Sequence, residues 1–468
     1  MSQDGKDEVE VEVKERYERP EIARHVTGLM NKFGAPASRK PMTHIAGVPV
    51  SELVAAHGSP LFVFSEADLA RKYRDASRAF TTRHPHVELA WSYKTNYLDA
   101  ICAILHREGA AAEVVSELEY EKARRLGVPG NKIYFNGPYK PVPALERAAR
   151  DGAKIHVDHL DEVHELEGIA SRLDKKPEIA IRINLDAGIQ PQWGRFGFNL
   201  ESGQALAAVR RIVGGGKLNL VGLHCHIGTF ILEPDAYRVT ALKLGSFALQ
   251  IEKEYGVKIE YLDMGGGFTS TNTLKGQYFT GESVNPDFDR YAEAVSVGLA
   301  QSGLPAEDPP RLVLETGRAI VDESGYLVST VIANKRLPNG LRAIILDAGV
   351  NTLFTSFWYN HQVIPAQEHD PFNEPAAVYG PLCMNIDIIR PEINLPSLST
   401  GDRVVIRPVG AYNVTQWMQF IRSRPPVVLI GLGGEVELIR EAEDLSDILR
   451  REKLPPRLSL EGQYHGGT

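Results

Sequence analysis

The sequence predicts an α/β fold, a (β/α)8 TIM-like barrel followed by a mostly β second domain. Two patterns support this prediction. Between residues 89 and 315, eight apolar, β-branched runs alternate with helical patterns. After about residue 325, short strand patterns alternate with Gly, Pro and Asn turns, and helical spacing is rare until Leu445 to Arg451. Eight strands that alternate with helices are typical of a closed barrel, and a doubly wound open sheet is the alternative.

The predicted elements follow the chain in order. Ser116 and Glu119 predict a capping box at the start of the second helix, because each side chain can bond the backbone N–H of the other residue. The predicted barrel strands are 89–94, 111–116, 132–137, 154–159, 178–185, 219–227, 259–264 and 311–315. The predicted helices between them include Tyr97–Glu108, Glu117–Leu126, Asp161–Leu173, Pro234–Tyr255 and Pro286–Gln301. The strands predicted for the second domain are Tyr326–Ala333, Arg342–Leu346, Arg403–Pro408, Val427–Ile430 and Val436–Ile439, to which Ile45–Val54 would add one.

The chain is predicted to have three parts. Residues 1–42 form a charged N-terminal extension, with a solvated tail over 1–19 and a short helix at Pro20–Phe33. The barrel is predicted to span residues 61–325. Residues 43–60 and 326–468 are predicted to form the β domain.

The composition excludes several classes of partner. Of 468 residues, 43% are hydrophobic and 24% are charged, which is ordinary for a soluble globular protein. The net charge is −8 and no Lys/Arg cluster occurs, so nucleic acid and anionic membranes are not expected partners. The apolar runs are too short for a membrane span, and the N-terminus lacks the apolar stretch of a signal peptide. Three cysteines in so long a chain do not make a disulfide framework, which favours a cytoplasmic protein.

Lys94 is the first candidate catalytic residue, because it directly follows the apolar run Leu89 to Trp91. Burial would lower the pKa of this lysine and free its amine to form a Schiff base with a carbonyl. A solvated lysine at the end of a strand is the simpler alternative. Catalytic groups in a barrel lie at the carboxyl ends of the strands. Other distinctive residues share that position, namely Ser116, Asn136, Gly137, His226 and Thr229.

The last two barrel strands are followed by residues that suit a phosphorylated cofactor. Gly265, Gly266 and Gly267 leave backbone N–H groups uncovered for an anion. Arg318 offers a fork-shaped partner for the same phosphate. Glu315 can hold a proton on the ring nitrogen of pyridoxal phosphate, which acts as an electron sink when that nitrogen is protonated. A tight turn and a Glu315–Arg318 salt bridge are the structural alternatives.

Two further motifs are less specific. His224 and His226 lie on one face of a strand. A metal site would need a third ligand, and no carboxylate or cysteine spacing nearby supplies one, so we predict no metal. A buried histidine pair, or one imidazole stacked on a cofactor ring, is the alternative. Cys383 lies in the predicted β domain, where a single cysteine is usually a small buried apolar residue.

Six motifs occur in order between residues 43 and 445. They are Ser-Tyr-Lys-Thr-Asn around Lys94, His-Cys-His-Ile-Gly-Thr from 224 to 229, Asp-Met-Gly-Gly-Gly-Phe from 263 to 268, Glu-Thr-Gly-Arg from 315 to 318, Gly-Pro-Leu-Cys-Met-Asn-Ile-Asp from 380 to 387, and Gly-Ala-Tyr from 410 to 412. With these motifs the sequence resembles the fold-type III pyridoxal phosphate-dependent amino acid decarboxylases. Within that group it is most similar to the diaminopimelate decarboxylases.

The resemblance implies a role for each motif. Lys94 would carry pyridoxal 5'-phosphate covalently, His226 would stack on its pyridine face, and Glu315 would pair with its ring nitrogen. Cys383 would protonate the carbanion left after carbon dioxide departs, at the cofactor of the other subunit. A homodimer with shared active sites follows from that arrangement. The phosphate would be held by Thr229, Gly265, Gly266, Gly267, Arg318 and Tyr412.

The sequence departs from the diaminopimelate decarboxylases at several positions. Met384 stands where those enzymes usually have glutamate, and Thr355-Ser356 stands where they usually have Arg-Pro. These two groups recognise the distal ammonium and carboxylate of the substrate. Glu113 replaces a common aspartate, and Thr316 replaces the proline of Glu-Pro-Gly-Arg.

We therefore predict a pyridoxal phosphate-dependent decarboxylase that releases carbon dioxide from the α-carbon of an amino acid. Its distal pocket is remodelled for a specialised or conjugated amino acid, with Tyr359, Met384 and Asn385 as candidate substrate residues. A genuine meso-diaminopimelate decarboxylase of lysine biosynthesis and a non-catalytic pyridoxal phosphate-binding paralogue are the alternatives. Glu315 argues against an alanine racemase, because those enzymes place arginine at the ring nitrogen.

Overall fold

The computed structural model describes residues 40–189, 191–370 and 372–459. The solvated tail and the helix predicted at Pro20–Phe33 lie outside these ranges, as does nearly all of the predicted extension 1–42. No helix within these ranges is both long enough and apolar enough to cross a lipid bilayer.

Eight parallel strands close into a barrel, so the prediction of a barrel is confirmed and the open sheet is wrong. The last strand pairs with the first, and the sixth pairs with both the fifth and the seventh. A two-residue strand, Phe198–Asn199, extends the fifth. The barrel strands are Val87–Ser92, Ala111–Val114, Ile133–Phe135, Lys154–Val157, Glu178–Asn184, Asn219–His224, Tyr261–Asp263 and Arg311–Thr316.

Helices surround the barrel. The five predicted helices are present, and the structure adds Glu66–Thr81, Val142–Asp151 and Gln204–Gly215. The helix at Glu117–Arg125 begins as predicted, because Ser116 Oγ accepts a hydrogen bond from Glu119 N at 3.3 Å. The return bond of the predicted capping box differs, since Glu119 Oε2 accepts from Val115 N at 2.8 Å. The predicted helices are observed at Asp99–Arg107, Glu117–Arg125, Leu160–Leu173, Asp235–Tyr255 and Phe288–Gln301, and two short helices lie at Gly281–Val284 and Arg318–Val321.

The barrel interior is layered, because successive residues of a strand point to opposite faces. Towards the amino ends of the strands, one apolar layer contains the rings of Tyr134 and Tyr261 among small side chains. Two residues further along the same strands, nearer their carboxyl ends, polar side chains replace the apolar ones. The apolar layer consists of Ala90, Ala111, Tyr134, Ala180, Val221, Tyr261 and Val313, and the residues two positions after six of these are Ser92, Glu113, Asn136, Arg182, Asp263 and Glu315.

The second domain is built on one sheet of nine strands. The long strand Gly325–Arg336 lies at its centre and pairs antiparallel with Leu61–Ser65, Arg342–Leu346 and Arg403–Arg407. Leu61–Ser65 alternates strictly, with Phe62 and Phe64 in the main core and its odd-numbered neighbours in a second core under the helix Val50–His57. The remaining strands are Gln362–Pro365, Asn373–Tyr379, Ile388–Pro396, Val427–Ile430 and Val436–Arg440, and a short helix spans Leu445–Leu449.

Three details of the prediction differ from the structure. The barrel was predicted to begin at residue 61, but Leu61–Ser65 belongs to the second sheet, where it also pairs parallel with Val427–Ile430. Ile45–Val54 adds no strand to the barrel or to the nine-stranded sheet. His44–Ile45 and Val48–Pro49 pair with each other, and the chain then enters the helix Val50–His57. Three strands, Gln362–Pro365, Asn373–Tyr379 and Ile388–Pro396, were not predicted.

Gly222 allows the Tyr261 ring to enter the apolar layer, and this contact generates a test of the barrel interior. The two residues are paired across adjacent strands, and a Cβ atom at position 222 would lie 2.2 Å from the ring. Gly222→Ala should therefore lower the free energy of unfolding by about 1–3 kcal/mol, since neither strand can move without opening the barrel. Chemical denaturation monitored by circular dichroism would measure the loss.

Gly214→Ala is the matched control. Gly214 lies in the helix Gln204–Gly215, and a Cβ atom there would meet nothing within 4 Å. That change should raise the free energy of unfolding by up to about 1 kcal/mol, because alanine restricts the unfolded chain more than glycine does. Equal stability of the two variants would contradict the proposed packing of Tyr261 on Gly222.

Candidate active site

A cavity of about 640 Å³ opens at the carboxyl ends of the barrel strands. Residues of the second domain, including Trp358, Tyr412 and Gln416, complete its wall. Nearly all of the residues predicted to bind the cofactor line this cavity. The exception is Gly265, which directly precedes the lining residue Gly266 in the chain. The predicted residues that line the cavity are Lys94, His226, Thr229, Gly266, Gly267, Glu315, Arg318, Tyr359 and Tyr412.

Lys94 lies in a 3₁₀ turn, Tyr93–Thr95, that follows the first barrel strand. Two hydrogen bonds from the second domain hold this turn. Thr415 Oγ1 donates to Lys94 O at 2.9 Å, and Tyr412 N donates to Thr95 O at 2.8 Å. The lysine therefore belongs to the junction of the two domains as well as to the barrel.

Glu113 is the partner of Lys94. Lys94 Nζ lies 2.6 Å from Glu113 Oε2, and Ser92 Oγ also donates to that carboxylate. Burial alone would lower the pKa of Lys94, but the negative charges of Glu113 and Glu315 outweigh burial and raise it. The expectation that burial lowers the pKa of this lysine is therefore wrong for the structure as it stands, with a carboxylate within hydrogen-bonding distance.

Glu315 is buried at the end of the last barrel strand, with 3% of its side chain exposed. Asn136 Nδ2 donates to Glu315 Oε1, which also lies 3.1 Å from His224 Nε2. Burial raises the pKa of Glu315, while the positive charges of Lys94 and Arg182 act in the opposite direction. The alternative salt bridge to Arg318 does not form, because the nearest carboxylate to that guanidinium is Asp322, at 3.7 Å.

His224 ends the sixth strand and His226 follows it, and both line the cavity. The ring of His224 lies 4.8 Å from that of His156 in a tilted arrangement, and His226 lies 5.2 Å from the Trp193 ring. His226 Nδ1 accepts a hydrogen bond from Gly266 N at 3.0 Å, which fixes its imidazole against the glycine loop. Burial lowers the pKa of both histidines well below the usual value, so both imidazoles are neutral.

Four buried side chains bring atoms that could bind a metal ion close together. One atom each from His156, His224, Asp263 and Glu315 lies within 4.8 Å of the others. The sequence-based argument against a metal rested on a missing third ligand, and that premise is wrong. The further donors come from three other strands, so their sequence spacing gives no hint of the cluster.

One corner of the cavity suits an anion. The glycine loop passes so close to neighbouring strands that a Cβ atom on Gly266 would lie 2.4 Å from Glu315 O, and one on Gly267 would lie 2.4 Å from Gly228 O. The guanidinium of Arg318 lies 4.8 Å from the ring centres of both Tyr359 and Tyr412. Its Nη1 is buried and has no hydrogen-bond partner among the residues that the structure describes. A buried donor without a partner can donate a hydrogen bond to a phosphate oxygen, so this corner suits a phosphate group.

Much of the remaining cavity wall is apolar and includes the aromatic rings of Trp193, Phe230 and Trp358 and the side chain of Leu274. Thr355 does not line it. Its hydroxyl bonds Asn413 Oδ1 at 2.9 Å and His361 Nε2 at 2.8 Å inside the second domain.

The remaining predicted residues stand apart from this cavity. Cys383, Met384 and Asn385 lie on the loop between Asn373–Tyr379 and Ile388–Pro396, and none of them lines the cavity. Cys383 is exposed. Asp387 fixes the loop, since its carboxylate accepts hydrogen bonds from Val350 N at 2.8 Å and Leu382 N at 2.7 Å.

Sequence reasoning missed several residues of the site. Glu113 was noted as a substitution, but its bond to Lys94 was not predicted. Asp263 and Arg182 were assigned no role, and Trp193 was not singled out. Every second side chain of a strand points to the same face. Counting two residues on from the apolar layer would therefore have placed Glu113, Asp263 and Arg182 inside the barrel.

Comparison with known proteins gives consistent matches. Residues 66–322 match the family model described as pyridoxal-dependent decarboxylase, pyridoxal binding domain. The chain is 30% identical to the diaminopimelate decarboxylase of Methanothermobacter thermautotrophicus, over 88% of this chain and 96% of that protein. It is also 30% identical to that of Archaeoglobus fulgidus, over 88% and 97%. The crystal structure of diaminopimelate decarboxylase from Methanocaldococcus jannaschii in complex with L-lysine superposes with a TM-score of 0.81 at 28% identity, over 89% of this chain and 97% of that one.

The buried His361 generates a pH prediction. Burial, with the nearby charge of Arg390, lowers the pKa of His361 from 6.5 to about 3. Between these values the unfolded chain binds a proton that the folded protein excludes, so stability falls as pH falls below 6.5. His361→Gln should remove this contribution, which is about 1.4 kcal/mol per pH unit. Urea denaturation at pH 6.0 and 4.5 would compare the two slopes.

His86→Gln is the control for that experiment, because His86 is exposed. This substitution should leave the pH dependence of the free energy of unfolding as in the wild type, because the surroundings of an exposed side chain change little on unfolding. If His361→Gln and wild type lost the same stability between the two pH values, His361 would not be the buried neutral group that the structure places beside Thr355.

Proposed function

The chain belongs to the fold-type III pyridoxal phosphate-dependent amino acid decarboxylases and is therefore a carboxy-lyase that uses pyridoxal 5'-phosphate, and we propose that it acts on the α-carboxylate of an amino acid whose distal end carries little charge. The alternative of a non-catalytic paralogue is not retained. The finer alternative, a genuine meso-diaminopimelate decarboxylase, is supported by the names of the relatives.

The cavity fits the cofactor, because the unsatisfied Arg318 guanidinium and the close-packed glycine loop form an anion site at one corner. We assign the phosphate to Thr229, Gly265, Gly266, Gly267, Arg318 and Tyr412. His226 would lie against the ring and Glu315 would hold the proton on its nitrogen. Lys94 would carry the cofactor covalently. When bound, pyridoxal phosphate accepts the electron pair released as carbon dioxide leaves.

Glu113 supports a role in activating Lys94. A protonated amine cannot act as a nucleophile, and the short contact of 2.6 Å lets Glu113 Oε2 take the proton from Lys94 Nζ. Burial raises the pKa of Glu113, which favours its acceptance of that proton. At rest the charge of Glu113 keeps the proton on Lys94, and Glu113 is the group placed to accept that proton when a carbonyl group enters the cavity.

Cys383 supports a two-subunit site. Its loop is fixed by Asp387 and exposes Cys383 and Asn385 outside the cavity of its own subunit. We propose that this loop enters the cavity of the partner in a homodimer, where Cys383 supplies the proton to the product carbon and Met384 and Asn385 contact the substrate. The cysteines form no disulfide, which suits a reducing compartment such as the cytoplasm.

The pairing of positive charges is the observation that favours a weakly charged distal group. Within the described ranges, each arginine or lysine that lines the cavity already faces an acid. Lys94 faces Glu113 at 2.6 Å, Arg182 faces Asp158 at 3.8 Å, and Arg318 faces Asp322 at 3.7 Å. Thr355, which stands where the relatives are expected to carry arginine, bonds inside the second domain. A distal carboxylate would thus be desolvated without a free positive charge, at a cost of several kcal/mol.

The substrate proposal predicts the outcome of a matched assay. Purified protein with added pyridoxal phosphate should release carbon dioxide from Nε-acetyllysine with a kcat/KM about tenfold or more above that for lysine and meso-diaminopimelate, because only the acetylated chain leaves no distal charge unpaired. Ornithine, arginine and glutamate extend the panel. Highest turnover on meso-diaminopimelate would establish the alternative. Lys94→Ala is the inactive control for every substrate.

Shared sites predict complementation between inactive subunits. Lys94→Ala and Cys383→Ala homodimers should each be strongly impaired. After subunit exchange, mixed dimers contain one intact site, so activity should recover to about a quarter of wild type. Each variant exchanged with itself is the control. No recovery, with dimers confirmed by analytical ultracentrifugation, would place Cys383 outside the partner's site.

A further inference from the structure

Asp263 lies beneath Glu315 in the barrel and connects two parts of the site. It is the last residue of the strand Tyr261–Asp263 and is completely buried. Its Oδ1 accepts a hydrogen bond from Gly265 N at 2.8 Å, which ties it to the glycine loop. One of its carboxyl oxygens also lies within 4.8 Å of a carboxyl oxygen of Glu315.

Two carboxyl groups this close together in a buried site favour a proton on one of them. Two carboxylates could not bond each other, and their mutual repulsion in a buried site is strong. The neighbouring imidazoles do not supply a compensating charge, because burial lowers the pKa of His156 and His224 well below the usual value. His156 Nδ1 is 4.0 Å from Asp263 Oδ2, beyond the length of a hydrogen bond.

The proton belongs on Asp263 rather than on Glu315. Glu315 lies near the positive charges of Lys94 and Arg182, and Asn136 donates to it, so its ionised form has several partners. Asp263 Oδ2 is buried and accepts no hydrogen bond from the described residues, so an ionised Asp263 would lack that stabilisation. Burial and the charge of Glu315 raise the pKa of Asp263 well above its usual value.

We propose that Asp263 is a positioning residue, a neutral carboxylic acid whose Oδ2–H donates to Glu315 while its Oδ1 accepts from Gly265. The donated hydrogen bond keeps Glu315 ionised and directed at the ring nitrogen of the cofactor. The accepted bond places the glycine loop at the phosphate. One residue thus sets the distance between the two ends of the cofactor site. The effect on the cofactor rests on the proposed assignment of Glu315, whereas the proton on Asp263 does not.

An amide distinguishes a neutral acid from a carboxylate at this position. Asp263→Asn retains one acceptor for Gly265 N and one donor for Glu315, so it reproduces the proposed protonated form. Asp263→Ala removes both bonds. We expect the dissociation constant for pyridoxal phosphate, measured by its absorbance, to change by less than about threefold in Asp263→Asn and to rise about tenfold or more in Asp263→Ala. Equal weakening in both variants would overturn the proposal. Glu315→Gln should also weaken binding about tenfold or more, because the amide cannot replace the charge of its partner.

Infrared spectroscopy of the cofactor-free protein tests the proton directly. The wild-type protein labelled with ¹³C-aspartate should show a carbonyl stretch of a protonated carboxyl group that shifts with the label and is absent from Asp263→Asn. Because this measurement needs neither substrate nor cofactor, it separates failure of this proposal from failure of the proposed function. Absence of the band in the wild-type protein would overturn the inference even if the variants failed to fold.

A bound metal would also overturn the proposal, since a cation among His156, His224, Asp263 and Glu315 would require Asp263 to be ionised. Metal analysis of the purified protein decides between the two. A stoichiometric transition metal that stays bound through dialysis would show that a metal cation, and not a proton, lies between these acids. Metal-free protein with the infrared band would support the neutral acid.

Discussion

Closure of the parallel barrel is the constraint on which the rest of the molecule depends. A closed sheet directs alternate side chains into an interior that water cannot fill. In this barrel, one interior layer is apolar and holds the rings of Tyr134 and Tyr261. The next layer along the same strands contains Glu113, Asp263 and Glu315, and it opens to the cavity. The geometry that closes the barrel is therefore also the cause of the unusual burial of these acids.

The buried acids make sense only as a set of compensated charges. Glu113 is matched by Lys94, and Glu315 is stabilised by Asn136 and by the nearby charges of Lys94 and Arg182. Lys94 illustrates why a single effect cannot predict the state of a group, because burial and its carboxylate neighbours shift its pKa in opposite directions. The neutral histidines separate the charged layer from the aromatic one below. A cofactor that brings its own phosphate and ring nitrogen would enter a site whose charges are already arranged to receive it.

The sequence allowed the barrel and much of the site to be predicted, for reasons that particular residues make clear. The eight barrel strands were recognised because buried parallel strands are short and continuously apolar. The strands Asn373–Tyr379 and Ile388–Pro396 were missed because Pro375 and Pro391 interrupt their patterns. Leu61–Ser65 is equally apolar but is buried between two cores of the second domain, and its sequence alone cannot tell which sheet it joins.

The site residues likewise divide into those that the local sequence reveals and those that it does not. Lys94, Glu315 and the glycine loop were found because each carries a chemistry that its local sequence displays. Glu113 and Asp263 were not assigned because their roles depend on which side chain the register of a neighbouring strand brings opposite them. The metal-like cluster of four donors arises from four different strands, and no spacing within one segment could reveal it.

Thr355 is tied to the same framework as Lys94. Thr355 N and Oγ1 both bond Asn413 Oδ1, and Asn413 directly follows Tyr412, whose backbone holds the turn of Lys94. An arginine at position 355 would force a long charged side chain into a site that is 1% exposed and would deprive His361 Nε2 of its partner. Thr355 is thus embedded in the contacts that position the lysine. Because these contacts are shared with the turn of Lys94, a larger side chain at position 355 requires several residues to change together.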